Sequence, residues 1–262
     1  MYFDSHAHYY DDRFYAEWGD GVDAHIGALL QGSVSGIVNV GTNPKTSQTV
    51  LSMARRFPRM YAAVGIHPSD TAYIADLDRA LCEIEEMLKT RDPKLVAIGE
   101  IGLDYHYDNT DKEKQEYAFR AQLLLAKSYG MPFVVHDRDA HGDTVRILGD
   151  YTGITGVLHS YSGSTEMMRE LCAMGHMISY SGTVSFKNAR RVYEAAAATP
   201  LDRVMIETDC PYLAPHPLRG SMNHSGNLVY TNRALATALG IDEWECAHIT
   251  EQNALRFFNI KN

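Results

Sequence analysis

Cysteine is scarce in this chain, and what there is cannot organise it. Cys82, Cys172, Cys210 and Cys246 are widely spaced in 262 residues and form no Cys-x-x-Cys pair. That argues against a disulfide framework and against a cysteine-based zinc knuckle. Long apolar runs are missing too, since no stretch approaches the ~20 residues needed to span a bilayer. The first residues carry neither the basic segment nor the apolar core of a secretory signal. A cytoplasmic, reduced location without membrane attachment is therefore expected. Positive charge is in deficit: 24 Lys and Arg stand against 33 Asp and Glu, for a net charge of −9. Proteins that coat duplex DNA rely on clustered Lys and Arg, so the balance favours small or single-stranded substrates. Bound divalent cations can still reverse the field inside a pocket and admit a phosphate. Low-complexity tracts, Pro/Gly/Ser linkers and sequence repeats are absent as well.

What is present is a rhythm. Hydrophobic residues make up 45% of the chain and charged ones 22%, enough apolar content for a substantial core. Apolar runs at 1–5, 35–40, 60–65, 94–99, 132–136, 154–159, 176–180 and 203–208 read as strands. Helical periodicity fills 22–32, 44–57, 76–90, 111–130, 140–150, 164–174 and 187–198, and again 230–240 and 243–258 after the last run. Asp111 suits an N-cap, Pro44 a first helical turn, and Gly130-Met131-Pro132 a helix stop. Ile37-Val38-Asn39-Val40 and Val204-Met205-Ile206 are rich in β-branched or apolar residues, as buried parallel strands are. Eight strands alternating with helices predict one α/β unit over 1–262, a closed (β/α)8 barrel with extra C-terminal helices.

In such barrels the chemistry gathers at the C-terminal ends of the strands. His6 and His8 end the first run and, two apart in a strand, point the same way. Glu100 follows the fourth run, His136 ends the fifth, His159 the sixth, and Asp209 follows the eighth. A lone histidine in such a place is more often a hydrogen-bonded structural residue. Four of them with two carboxylates form a ligand set for divalent cations, with Mg, Mn and Zn all admissible. Glycines flank Glu100 (Gly99, Gly102), so the backbone can bend and one carboxylate can bridge two ions about 3.5–4 Å apart, an arrangement that activates water against a phosphoester. Asp209 is placed as the general base, and Glu207, two residues before it, as the group orienting a histidine.

The ordered motifs Phe3-Asp4-Ser5-His6-Ala7-His8, Gly65-Ile66-His67-Pro68, Gly99-Glu100-Ile101-Gly102-Leu103-Asp104, Val135-His136, His159-Ser160-Tyr161-Ser162-Gly163 and Glu207-Thr208-Asp209-Cys210-Pro211-Tyr212-Leu213 resemble those of the TatD family of metal-dependent hydrolases. The resemblance spans about residues 3 to 258. It implies an amidohydrolase-type TIM barrel with one or two metals, and phosphodiester hydrolysis, often 3′→5′ on single-stranded DNA or RNA. It also implies that His6, His8, Glu100 and Asp209 hold a first metal, and Glu100, His136 and His159 a second. One region departs from the family pattern. Arg219-Gly220-Ser221-Met222-Asn223-His224-Ser225-Gly226-Asn227 keeps Arg219 and Asn223 but replaces a basic residue and an acidic-proline pair. Losing a cation that made a charge-assisted hydrogen bond to phosphate would cost about 1 kcal/mol.

Four further residues are candidate substrate contacts: His67 at the end of the third run, Tyr105 just past Glu100 as a base-stacking ring, Arg219 as a phosphate clamp, and Asn223. Cys210 reads as a small core residue, and Glu83-Ile84-Glu85-Glu86 as a solvated helix face. The leading expectation is a divalent-metal-dependent hydrolase acting on nucleic acid ends or small phosphoesters, with a monomer as default. Two rivals keep the barrel: an amide or ester hydrolase such as an aminoacyl-tRNA deacylase, and a scaffold without turnover. Amide hydrolases of this type bridge their metals with a modified lysine late in strand 4. Here Lys94 opens that strand and Glu100 takes the bridging place.

Overall fold

The computed structural model describes residues 1–107 and 110–261. Eight parallel strands run in sequential order: β1 (Tyr2–Ala7), β2 (Val34–Val40), β3 (Met60–Val64), β4 (Leu95–Asp104), β5 (Phe133–Arg138), β6 (Gly156–Leu158), β7 (Met177–Tyr180) and β8 (Val204–Ile206). Closure is made just past β8. Ala7 bridges Cys210 in parallel, Asp209 N donates to His6 O at 2.9 Å, and His8 N donates to Cys210 O at 2.8 Å. The fold is the expected TIM barrel.

Among the described residues, ten α-helices pack around and behind it: α1 (Asp12–Trp18), α2 (Val22–Gln31), α3 (Pro44–Arg56), α4 (Leu77–Lys89), α5 (Lys112–Tyr129), α6 (His141–Gly149), α7 (Thr165–Ala173), α8 (Arg190–Ala198), α9 (Leu228–Leu239) and α10 (Glu243–Phe257). Local chemistry fixes several ends. Asn43 and Thr46 form a reciprocal capping box with Pro44 in the first turn of α3. Asp111 accepts from Lys114 N, and Gly130 closes α5 in the left-handed region at φ 62°. In α4, Ile84 is buried while Glu86 is exposed and Glu83 and Glu85 are half-buried, the solvated face expected there. Helix α1 was not anticipated: seven residues, of which only Phe14 is buried, carry too little apolar periodicity to be read.

Every strand sends residues to one inner cluster, which includes Phe3, Val38, Ala63, Val96, Val134, Val157, Met177 and Met205, with Phe258 packed against it after α10. A much larger apolar cluster lies between the strands and the helices. Alternation then does the positioning. His136 continues the inward row of Val134, His159 that of Val157, and Glu207 that of Met205. Register shifts interrupt the pairing at Tyr2/Phe3 and Ala62/Ala63, and, nearest the site, between Asp4 and Ala7 and between Ile98 and Ile101. The last two stretches carry His6 and Glu100, and such irregularities re-aim side chains beside active sites.

Three boundaries correct the sequence reading. β4 runs through Glu100 to Asp104 rather than stopping at 99, and β5 passes His136 to Arg138. The glycines suggested a break, but they are needed inside the strand. A Cβ on Gly99 would sit 2.7 Å from Val134 Cβ, and Gly102 has φ 135° against the His136 backbone. β8 ends at Ile206, so Glu207 and Asp209 do not share a strand face; Asp209 turns into the site at φ 55°.

Buried His176 supplies a pH test of this core. Its Nδ1 accepts from Gly156 N at 3.0 Å, so it must stay neutral. Burial, helped by Arg203, lowers its pKa to about 4. Between about pH 6.5 and 4 the unfolded chain binds a proton that the folded one refuses, so stability falls as pH drops through that window, by ~3 kcal/mol in full. Urea unfolding at pH 7.5 and 5.0 should show a smaller acid loss for His176→Asn than for the parent. An equal loss would acquit this residue.

Candidate metal centre

The six residues expected as ligands converge, although they span two hundred positions of sequence. Glu100, 2% exposed, stands at the middle. Its Oε2 lies 3.3 Å from His6 Nε2 and 3.6 Å from His8 Nε2. Its Oε1 lies 2.8 Å from His136 Nδ1, 2.8 Å from His159 Nε2 and 3.3 Å from His67 Nε2. Asp209 Oδ1 completes the first group at 3.3 Å from His8 Nε2 and 3.8 Å from His6 Nε2. One carboxylate thus presents each oxygen to a different set of imidazoles.

The donor chemistry fits a cation. His8 Nδ1 donates to the Val40 carbonyl at 2.8 Å, which leaves Nε2 as a lone pair. That lone pair faces the Asp209 carboxylate and lies 3.0 Å from His6 Nε2, so it has no proton of its own to offer either. His159 Nδ1 lies 3.1 Å from Glu207 Oε1, which also accepts from Ser160 N at 2.7 Å. The carboxylate–histidine arrangement fixes which nitrogen of His159 faces Glu100. Three triads, His6/His8/Glu100, His6/His159/Glu207 and His67/Glu100/His136, have ligand atoms close enough together for one ion.

Electrostatics follow from burial among imidazoles. Burial alone would raise Glu100, but His159, His67 and His6 outweigh it and hold the carboxyl well below its ordinary range. Asp209 is lowered in the same way, its burial overcome by His8 at 3.3 Å and by the nearby imidazoles of His159 and His6. Burial opposes charge on His159, yet Glu100 and Glu207 on either side raise it well above the usual histidine range. Both carboxylates are thereby kept as anions.

Other expected contacts fare differently. His67 joins the cluster. Tyr105 turns away, its hydroxyl on Asp143 Oδ2 at 3.0 Å and Lys112 Nζ 4.1 Å over its ring. Arg219 lies 4.1 Å over the Phe186 ring instead of reaching the centre. Asn223 is fully buried: its amide donates to Thr208 O at 2.9 Å and its carbonyl accepts from His224 N and Asn227 Nδ2. With no open face, it cannot touch a substrate, and it holds the Thr208–Asp209 turn. Asp4 grips the same turn from below, accepting from Thr208 N, Thr208 Oγ1 and Ser225 Oγ.

Sequence reasoning missed Asp104, whose Oδ2 is 3.3 Å from His136 Nε2 and whose carboxyl is lowered to about 2, the His136 and His106 contacts outweighing burial. It stands four residues past Glu100, and the premature end given to β4 hid it. Tyr10, Tyr107, Tyr212 and Arg138, which line the cavity over the cluster, were missed too. They sit in loops or at a strand end, where no periodicity marks them.

The family profile described as TatD related DNase matches residues 3–259. This chain belongs to the TatD family. The uncharacterized metal-dependent hydrolase YabD of Bacillus subtilis (strain 168) is 37% identical over 262 residues, covering 99% of this chain and 100% of that protein. The uncharacterized metal-dependent hydrolase TatD of Mycobacterium tuberculosis (strain H37Rv) is 34% identical, covering 98% and 97%. Among solved structures, YjjV, a TatD homolog from Escherichia coli K12, superposes with a TM-score of 0.91 at 27% identity, covering 99% and 98% of the chains. The Escherichia coli phosphotriesterase homology protein shares the TatD barrel at a TM-score of 0.68 and 16% identity, over 98% of both chains. The TatD family is one of metal-dependent hydrolases, and the His/Glu cluster is where a metal fits.

Because Glu100 faces both imidazole sets, Glu100→Gln should lower the metal content of protein loaded with Zn and dialysed, read by elemental analysis. Metal content equal to the parent's would remove Glu100 from the centre.

Proposed function

We propose that this chain hydrolyses phosphodiester bonds at the ends of single-stranded DNA or RNA, in the 3′→5′ sense, with two divalent cations (Mg, Mn or Zn) held on either side of Glu100. The observation that carries this reading is the division of the Glu100 oxygens between His6/His8/Asp209 and His136/His159. The description of the matching family as a DNase supports it.

When bound, such cations lower the pKa of a water molecule and offset the charge that builds on phosphoryl oxygens. The chain's own groups do the rest. Asp209, kept anionic among imidazoles, accepts the proton of the attacking water. Glu207 locks the His159 ring, and Asp104 stands against His136 on the side away from Glu100. His67 and Arg138 face the cavity where the phosphate would lie, and Arg138 supplies a planar fork suited to its oxygens. The cavity beside the cluster, about 480 Å³, is walled by Tyr10, Tyr107 and Tyr212, rings able to stack a base.

The amide-hydrolase alternative loses ground here. Lys94 Nζ donates to the carbonyls of Phe57 and Pro58, both at 2.7 Å, and to Met60 O at 3.2 Å, at the opposite end of β4 from Glu100. Held there, before the first residue of β4 and six positions ahead of Glu100, it does not reach the cluster. A binding-only scaffold would have no use for a buried anion set between imidazoles.

Purified protein given a 5′-labelled single-stranded oligonucleotide should shorten it in the presence of added Mg, Mn or Zn, and stop when the metal is chelated. Asp209→Asn should cut kcat by about 10²–10⁴-fold, the range for loss of a general base. An intact oligonucleotide beside turnover of an acyl ester would transfer the site to ester hydrolysis.

A further inference from the structure

We infer that the segment linking β7 to α8, with Arg219 laid against it, is the strip along which a single strand lies as its end enters the centre; this rests on the phosphodiester reading above. A cavity of about 530 Å³ opens beside the cluster, with His136, His159 and Asp209 on one wall and Phe186, Ala189 and Val192 on the other. A second cavity, of about 390 Å³, is lined by Lys187, Arg190 and Tyr193. Phe186 and Ala189 line both. Phe186 therefore stands at the sill between an acidic, imidazole-rich chamber and a basic outer cleft.

Charge favours a polyanion at this place. Lys187, Arg190 and Arg191 fall within five positions, and Arg219 adds a fourth cation, in a chain whose net charge is −9. Glu194 takes the Arg190 Nε at 2.7 Å, yet the Arg190 side chain stays 89% exposed. Its remaining donors are free to meet phosphate oxygens. Rings alternate with these cations: Phe186 at the sill and Tyr193, 41% exposed, beyond it. Single-strand grooves pair cations that track the backbone with rings that stack bases.

The strip is held rigid, as a stacking platform must be. Phe186 N donates to Thr183 O at 3.0 Å, and Ser185 Oγ donates to Gly182 O at 2.6 Å while accepting from His216 N at 2.8 Å. A Cβ on Gly182 would lie 2.8 Å from Pro215 N, so only glycine lets the turn before Phe186 pack against the segment leading to Arg219. The Arg219 guanidinium then braces the Phe186 ring at 4.1 Å. Arg219 is thus a positioning residue for that ring.

The test uses 5′-labelled octathymidylate with phosphorothioate linkages, so that binding is read without cleavage. Lys187→Glu combined with Arg190→Glu should weaken binding at least about tenfold at low salt, and lower the slope of log K against log salt by about 1.4, two contacts at ≈ 0.7 each. Phe186→Trp should add indole emission that the oligomer quenches saturably and an octamer of abasic residues does not. Wild-type affinity and slope in the double variant, or an indole blind to the oligomer, would overturn the inference. Cleavage of unmodified octathymidylate beside binding unchanged in the double variant leaves the phosphodiester reading standing and the strip refuted. Variant-sensitive binding, with unmodified octathymidylate left intact by the metal-loaded parent, keeps the strip as a single-strand site and refutes the phosphodiester reading.

Discussion

A buried carboxylate between two groups of imidazoles is the constraint on which this molecule turns. Glu100 is almost wholly removed from solvent, and an ion in that position is costly unless opposite charge and hydrogen bonds surround it. Its partners come from β1, β5, the end of β6 and the loop after β3, so only a closed barrel can supply them. Closure and site are therefore one problem. The seam that closes the barrel, where Asp209 N meets His6 O and His8 N meets Cys210 O, also delivers two imidazoles and the second carboxylate.

The supports of that seam explain conspicuous buried residues whose side chains meet no candidate ligand side chain. Asp4 and Asn223 hold the Thr208 backbone and hydroxyl from two directions, and thereby aim Asp209. Burial raises Asp4 to about 6, with the Thr208 and Ser225 hydrogen bonds pulling the other way. The 219–227 segment, which departs most from the family pattern, keeps the residue that braces this turn. Of its replaced positions, Ser221 is exposed, Met222 and His224 are half-buried, and Ser225 is buried against Asp4, while the retained Arg219 lies over Phe186.

Much of the fold was legible because its signals are local. Apolar runs of β-branched residues marked the strands, and Asp111, Pro44 and Gly130 marked helix ends by capping chemistry. What failed to show was governed by neighbours distant in sequence. Gly99 and Gly102 looked like a strand end but are demanded by the closeness of β5, and that error concealed Asp104. Tyr105 was chosen as a stacking ring by proximity to Glu100, yet the chain past β4 turns it to Asp143, and Tyr107 lines the cavity instead.

By itself the sequence determined the eightfold alternation, the identities of the six converging candidate ligands and the family, because residue type and strand-end position are properties of the linear chain. Tertiary structure alone decided which oxygen of Glu100 faces which imidazole, that Asn223 is a buried brace, and that Phe186 meets Arg219. Those facts depend on register shifts and loop packing between segments far apart in the chain. No local pattern encodes such distances.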